Sequence, residues 1–189
     1  MNTIKTNRQH VIEIAANLFF VKGYHLTSMD EVVRESRVSK SNIYYHFKTK
    51  EELAIGILKW RISFLDQCIQ EIQSNQAWNV QEKIMYLYQL FRDKNGEEGG
   101  CPLITLYLQA SQQSKQIKKI IRGFFKDLFL SIEKIINIGI GNKEIKKDQE
   151  GHKLASFIVS SLEGSLLLSD ITSDSQHLDH SLENVLNTI

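Results

Sequence analysis

The chain has 189 residues, of which 42% are hydrophobic and 24% are charged, so it can bury a real core and wholesale disorder is excluded. Its two cysteines cannot form a disulfide framework and favour a reducing compartment, the cytoplasm. We find no apolar run that approaches the length needed to cross a bilayer, and no signal peptide after the basic N-terminus. We therefore expect no membrane partner.

The formal net charge of +1 hides an uneven distribution. Residues 1–50 contain eight Lys or Arg and four Asp or Glu, an excess of four positive charges, so the rest of the chain carries three net negative charges. A basic end on a slightly acidic body suits a polyanionic partner at that end. Scattered surface lysines would produce the same imbalance, so charge alone does not decide the function.

Apolar residues recur at spacings of three and four along almost the whole chain, which predicts an all-α fold. A first helix carries Ile12, Ala15 and Phe19 and stops at Gly23. Thr27 or Ser28 can cap a short second helix that runs through Arg34. Ser39 can cap a third helix, in which Ile43 and Phe47 lie four residues apart on the inward face.

The fourth predicted helix carries one continuous apolar stripe about five turns long. Thr49 can cap it, and Glu52 stands three residues later as in a capping box. The stripe is formed by Leu53, Ile57, Trp60, Phe64, Cys68 and Ile72. Further helices are predicted around 84–91, from Pro102, over 117–140, over 154–166 and over 178–185.

The third helix has the pattern of a helix that enters the major groove of DNA. Such a helix needs small and hydrogen-bonding side chains at its N-terminal end and an anchored opposite face. Ile43 and Phe47 anchor it here. The side chains that point elsewhere are Lys40, Ser41, Asn42, Tyr44 and Tyr45.

Residues 8–53 contain four short motifs: Gly23-Tyr24, Thr27-Ser28-Met29, Val38-Ser39-Lys40 and the run Tyr44-Tyr45-His46-Phe47-Lys48. With these motifs, residues 8–53 resemble the DNA-binding domain of the TetR family of repressors. Arg37 departs from this resemblance, since the family usually has glycine in this turn. A positive φ there would strain arginine, and the alternative is a turn that is wound differently. The resemblance implies a helix-turn-helix DNA-binding domain over 1–50 and a helical inducer-binding and dimerisation domain over 51–189.

The resemblance also assigns roles to individual residues at the DNA. Lys40, Ser41 and Tyr44 fall where the family reads base edges, and Thr27, Tyr45, His46 and Lys50 fall where it holds phosphates. Ser39 and Asn42 complete the expected DNA-binding set. Alternatives remain: Tyr44 or Tyr45 can be packing aromatics, and His46 can bond a backbone carbonyl.

The small residues of the helix over 154–170 indicate a place where two backbones approach closely. They are Ala155, Ser156, Ser160, Ser161, Gly164 and Ser165. With the apolar helix over 124–138, this helix predicts half of a four-helix interface in a homodimer, as two DNA half-sites require. The alternative is that both helices are internal core.

An inducer site is predicted less directly, from aromatic side chains on helices that would line a cavity. The candidates are Trp60, Phe64, Tyr88 and Tyr107, and each has an alternative reading as a core residue. They favour a small apolar or aromatic inducer.

Cys101 is a candidate sensor of oxidants or electrophiles. It stands in Gly99-Gly100-Cys101-Pro102 at a helix start, where amides and the helix dipole lower a thiol pKa. The alternative is a small residue packed at that helix start. Cys68 lies on the apolar stripe and reads as inert core.

The sequence therefore predicts a ligand-responsive dimeric repressor of a palindromic operator, and two other classes of protein are alternatives to it. An enzyme is disfavoured because the chain has no glycine-rich phosphate loop after a strand and no nucleophile elbow. His177 and His180 have metal-ligand spacing, but only Asp179 stands near, so we expect no metal and no cofactor. A purely structural helical bundle explains the body but not residues 39–50. Activation is the alternative to repression.

Overall fold

A computed structural model describes residues 7–95, 100–146 and 148–189. Within these residues the chain is helical and contains no strand, which confirms the all-α prediction. The helices are α1 Asn7–Val21, α2 Met29–Ser36, α3 Lys40–His46, α4 Lys50–Ser74, α5 Val80–Asn95, α6 Pro102–Ala110, α7 Lys115–Gly141, α8 Gly151–Thr172 and α9 Gln176–Thr188.

The described residues divide into two compact units. Unit 1 takes those up to Ser63 together with Pro102–Ile121, and unit 2 takes those of Phe64–Cys101 and Arg122–Ile189. The helix α6 belongs with the first helices because Gln109 bonds the turn after α1: its Oε1 accepts from Tyr24 N at 2.6 Å. The division at residue 50 remains a prediction about functional parts.

Unit 1 is built around the side chains predicted to face its core. Ile12, Phe19, Val32 and Ile43 are almost completely buried where α1, α2 and α3 pack together. Ser28 is the N-cap of α2, and its Oγ accepts a hydrogen bond from Glu31 N at 3.1 Å. Burial of one face therefore fixes α3 on the other two helices and leaves its opposite face open.

The turn between α2 and α3 contains the strain that the sequence suggests. Arg37 adopts a left-handed conformation, with φ 55° and ψ 19°. A side chain with a Cβ pays about 1–2 kcal/mol there, a cost that glycine avoids. The turn is thus left-handed although it carries arginine.

The start of α4 is capped on both sides of Thr49. Thr49 Oγ1 accepts from Glu52 N at 3.0 Å, and Glu52 Oε2 accepts from Lys48 N at 2.7 Å. Gly56 lies against the Phe47 ring, because a Cβ at this position would come within 2.9 Å of Phe47 Cε1. This close approach seats the end of α3 on α4.

In unit 2, α8 and α9 pack side by side and α5 packs on both. A hydrogen-bond chain joins the three helices: Tyr88 Oη lies 3.0 Å from Ser181 Oγ, which donates to Ser161 O at 3.1 Å. Tyr88 is fully buried, and its burial raises the pKa of the phenol. The aromatic ring and its hydroxyl are both used in the core.

One helix does reach the length and mean hydropathy of a membrane span, contrary to our expectation that no segment would. This helix is α8, with a mean hydropathy of 1.4 over its most apolar window. Leu154, Ile158 and Leu162 on one of its faces are buried within unit 2. A core helix passes the same test of length and composition, so the finding alone does not indicate a bilayer.

Candidate nucleic-acid interface

The face of α3 opposite its buried anchors is open to solvent. Ile43 and Phe47 are buried, whereas Lys40, Ser41 and Tyr45 are exposed. Ser39 is the N-cap, and its Oγ accepts from Asn42 N at 3.4 Å. The helix therefore presents a short row of polar side chains from a rigidly held backbone.

Lys40 and Tyr44 form a small cluster with Asp30 of α2. Lys40 Nζ lies 2.7 Å from Asp30 Oδ1, and this hydrogen bond is the main cause that raises the pKa of Lys40. The same ammonium lies 5.8 Å from the centre of the Tyr44 ring. An ion pair this exposed stabilises the free protein very little, so Lys40 is available to exchange Asp30 for another anion.

Tyr45 is the most exposed aromatic side chain among the described residues, at 81%. Its ring meets His46 edge to face, with ring centres 5.0 Å apart, and His46 is half-buried. Asn42 is also half-buried, and its Oδ1 is shielded without a hydrogen-bond partner. The exposed ring of Tyr45 is therefore the part of this cluster that is open to a partner.

Thr27 is not placed to hold a phosphate through its hydroxyl. The residue is 1% exposed, and its Oγ1 donates to Gly23 O at 2.9 Å and lies 3.2 Å from Leu18 O. The hydroxyl closes the turn after α1. The role expected for Thr27 is therefore corrected to a structural one.

Lys50 is also engaged within unit 1. Its Nζ lies 2.9 Å from Tyr24 O, 3.4 Å from His25 O and 3.1 Å from Thr27 O, and 4.5 Å from the Tyr24 ring centre. Burial lowers the pKa of this lysine. Because an ammonium has three N–H groups, these carbonyls occupy them all, and Lys50 holds the turn rather than offering a free phosphate ligand.

The four inducer candidates do not gather in one described pocket. Trp60 and Phe64 are partly exposed on α4, and Tyr107 is half-buried on α6. Tyr88 is buried in the core, where its hydroxyl takes part in the hydrogen-bond chain described above. A cavity described in unit 2 is lined by other residues.

Cys101 is buried at 6% exposure, and its glycine neighbour Gly99 lies outside the described residues. The thiol interacts with Glu163 of α8, an acid at 9% exposure whose carboxylate oxygens have no well-formed hydrogen bond. Burial raises the pKa of Glu163 to about 7, and the Cys101 thiol opposes that shift. Sequence reasoning missed Glu163, although it is the one acid among the small and apolar residues of 154–169.

The outward face of α8 is apolar and has a flat centre. Phe157, Leu167, Leu168 and Ile171 are exposed on it, and Gly164 lies between them with nothing within 4 Å of where its Cβ would stand. Large exposed apolar patches of this kind mark association sites. The exposed positions of α7 include charged residues, among them Lys126 and Asp127, so α8 is the more apolar of the two faces.

No group of three potential metal ligands occurs among the described residues. Asp179, which stands between the two spaced histidines of α9, forms an ion pair with Arg92 of α5.

Comparison with known proteins places both parts of the chain in one family. The profile of bacterial regulatory proteins of the tetR family matches residues 11–57, and that of the tetracyclin repressor-like C-terminal domain matches residues 82–185. The chain is 23% identical over 185 residues to an HTH-type transcriptional regulator in the lacX 3' region of Lactococcus lactis subsp. lactis, covering 95% of this chain and 91% of the relative.

A second relative is the biofilm operon icaADBC negative transcriptional regulator IcaR of Staphylococcus aureus, with 24% identity over 143 residues, 76% of this chain and 74% of the relative. A solved TetR transcriptional regulator from Legionella pneumophila has a similar fold, with a TM-score of 0.87, 21% identity and complete coverage of both chains. With an exposed α3 on an anchored three-helix unit and matches in both parts, the chain belongs to the TetR family of DNA-binding transcription regulators.

Proposed function

We propose that this protein is a cytoplasmic, ligand-responsive repressor that binds a near-palindromic operator as a homodimer and leaves it when a small apolar or aromatic inducer binds. The observation that carries the proposal is the exposed polar row of α3 on its buried anchors Ile43 and Phe47. Repression rather than activation is supported by the negative regulator IcaR among the relatives. Catalysis has no part in it, since the family is one of regulators.

In this proposal base edges of the DNA are contacted by Lys40, Ser41 and Tyr44. The DNA backbone and the rim of the groove are contacted by Tyr45, His46, Ser39 and Asn42. Two observations support these contacts: this face of α3 is exposed, and the present partner of Lys40 is easily exchanged for DNA. Lys40 is held by an exposed ion pair, and the Tyr45 ring is largely in solvent. A phosphate or base edge replaces such partners at little cost.

Dimerisation through the C-terminal helices is supported by the outward face of α8. Phe157, Leu167 and Ile171 lie at spacings that keep them on one side of the helix, and Gly164 leaves room at the centre for a second backbone. A two-fold interface buries the same patch on both copies. The dimer also supplies the two copies of α3 that a palindromic site requires.

The inducer response is proposed for the partly exposed aromatic side chains of α4. Trp60 and Phe64 lie four residues apart and are partly exposed, so they offer one aromatic face. Thermodynamic linkage then requires operator DNA to lower the affinity for the ligand by the same factor by which the ligand lowers the affinity for DNA.

A thiol sensor is the second candidate for the release step, because the Cys101 thiol interacts with the carboxylate of Glu163. That acid titrates near neutral pH and is placed to take the thiol proton when the sulfur reacts. The two release mechanisms differ in their dependence on Cys101.

The test of DNA binding uses duplex DNA from directly upstream of the protein's own gene, followed by fluorescence anisotropy across a salt series. We expect tighter binding to this duplex than to a shuffled one, with affinity that falls steeply as salt rises because cationic side chains displace counterions. Equal binding to both duplexes, or no binding at low salt, contradicts the proposal.

The same assay separates the two release mechanisms. Aromatic small molecules and an oxidant such as hydrogen peroxide are added to the complex of the wild type and of Cys101→Ser. Release that survives Cys101→Ser and depends on Phe64 supports a bound inducer. Release that needs an oxidant and is lost in Cys101→Ser assigns sensing to the thiol instead.

A further inference from the structure

A cavity of about 450 Å³ opens where α4 ends and α5 begins, within unit 2. Its walls come from the last turn of α4, the turn that follows, the first turn of α5 and the end of α7. Ligand pockets of small molecules begin at about 300 Å³, so the cavity is large enough for a compact organic molecule. It contains none of the four aromatic residues proposed for the inducer.

Lys83 gives this cavity a buried positive group. The residue is 8% exposed, and among the described residues its Nζ has one hydrogen-bond acceptor, Gln73 O at 3.1 Å. An ammonium has three N–H groups, and a charged group out of water is costly unless it is paired. Lys83 therefore has donor capacity that the surrounding protein leaves unused, and Lys134 of α7 adds a second cation to the lining.

The one acid that lines the cavity is already engaged. Glu144 Oε2 accepts from Val80 N at 2.7 Å, and its Oε1 accepts from Asn142 Nδ2 at 3.3 Å. These bonds hold the carboxylate at the start of α5, where the helix dipole favours a negative charge. Glu144 thus caps α5 rather than pairing with Lys83, and the two lysines leave the lining with a positive excess.

The remaining wall is flat and apolar. Trp78 lines the cavity, and its ring is stacked on Tyr86 with ring centres 3.9 Å apart and planes at 11°. Ile135 and Ile138 of α7 complete this side. Gly139 of α7 lies directly against Val80 of α5, because a Cβ at Gly139 would overlap Val80 Cγ2.

We infer that this cavity is a binding site for a small organic anion that joins a flat ring to a carboxylate or a similar acidic group. The acidic group is bound by Lys83 and Lys134, and the ring lies against Trp78 and the two isoleucines. The inference concerns a site separate from the proposed inducer surface and does not rest on DNA binding.

The test uses the full chain labelled with 5-fluorotryptophan and observed by ¹⁹F NMR. The chain has two tryptophans, so two resonances are expected, and Trp60→Phe assigns them. The probe is 1-naphthoate, and its uncharged isostere 1-naphthamide is the comparison. We expect a saturable shift of the Trp78 resonance with naphthoate and binding weaker by tenfold or more, on the order of 1.4 kcal/mol, with the amide.

Three lysine variants locate the charge. Lys134→Met removes an exposed cation of the lining and is expected to weaken naphthoate binding about tenfold without affecting folding. Lys83→Met is expected to weaken it more. Lys126→Met removes an exposed lysine of α7 outside the cavity and should change nothing.

The inference is overturned if the amide and the carboxylate bind equally, or if Lys134→Met behaves like Lys126→Met. A Trp78 resonance that stays fixed up to about 5 mM naphthoate overturns it as well. Since the readout is the tryptophan resonance and not DNA release, failure here leaves the proposed repressor function intact, and failure to bind DNA leaves this site intact.

Discussion

Replacing Gly164 with leucine is expected to separate the dimer while the single chain keeps its fold. The glycine is exposed on α8, and nothing in the chain lies within 4 Å of where its Cβ would stand, so the leucine has room in the monomer. If two copies of α8 meet at this position, each leucine overpacks the contact at a cost of about 1–3 kcal/mol. Sedimentation velocity should show a dissociation constant raised by about 10- to 100-fold or more.

Gly123 provides a matched control for that substitution. It is also an exposed helical glycine with nothing within 4 Å of its missing Cβ, but it lies before the stretch of α7 predicted for the interface, 124–138, and near the charged residues Lys126 and Asp127. Gly123→Leu gives the helix the same gain in propensity and should leave the dimer unchanged. A wild type that sediments as a monomer at micromolar concentration, or a Gly164→Leu dimer as tight as the control, contradicts the proposed interface.

Replacing Glu163 with glutamine is expected to stabilise the protein above neutral pH and to do little at pH 5. Burial raises the pKa of this carboxyl from its ordinary 4.5 to about 7. The folded state therefore keeps a proton that the unfolded chain releases, and the stability this gives is complete below pH 4.5 and lost as the pH rises through 7. The loss amounts to about 3 kcal/mol at pH 8.

Urea unfolding of the wild type and Glu163→Gln, at one protein concentration and several pH values, checks this. The wild-type free energy of unfolding should fall between pH 5 and pH 8 relative to the variant, and Glu183→Gln, an exposed acid of α9, should follow the wild type. Burial and Asp127 also raise the pKa of Asp66, and comparing variants removes that contribution because both contain Asp66. Parallel pH profiles for wild type and Glu163→Gln would show that the acid is not buried as described.

The parts of the fold that depend on neighbouring residues in the chain could be predicted from the sequence. Ser28, Ser39 and Thr49 cap their helices as expected, because an N-cap needs only a hydroxyl and the next turn. Ile43 and Phe47 are buried because their spacing of four places both on one side of α3. For Arg37 the sequence left open whether the turn has a positive φ or is wound differently, and the structure has φ 55° there.

The roles that depend on distant backbone could not be predicted in this way. Lys50 has the sequence position of a phosphate ligand, yet its ammonium is taken by three carbonyls of a turn 23–26 residues earlier. The Thr27 hydroxyl points into the same turn, where it donates a hydrogen bond to Gly23 O. The burial of Glu163 and the single hydrogen bond of Lys83 among the described residues depend on what several helices bring around them, and periodicity along one helix does not contain that information.

The central claim, sequence-specific reading of DNA by α3, is tested most directly by the ratio of operator affinity to random-sequence affinity in Tyr44→Ala. If Tyr44 reads a base edge, this ratio should fall by about 1–3 kcal/mol, or roughly 5- to 150-fold, while binding to random DNA is almost unchanged. Lys48→Ala, an exposed neighbour outside the reading set, should keep the wild-type ratio. A folded Tyr44→Ala protein with an undiminished ratio, together with a Lys40→Met protein that also keeps it, would contradict the claim that α3 reads the operator.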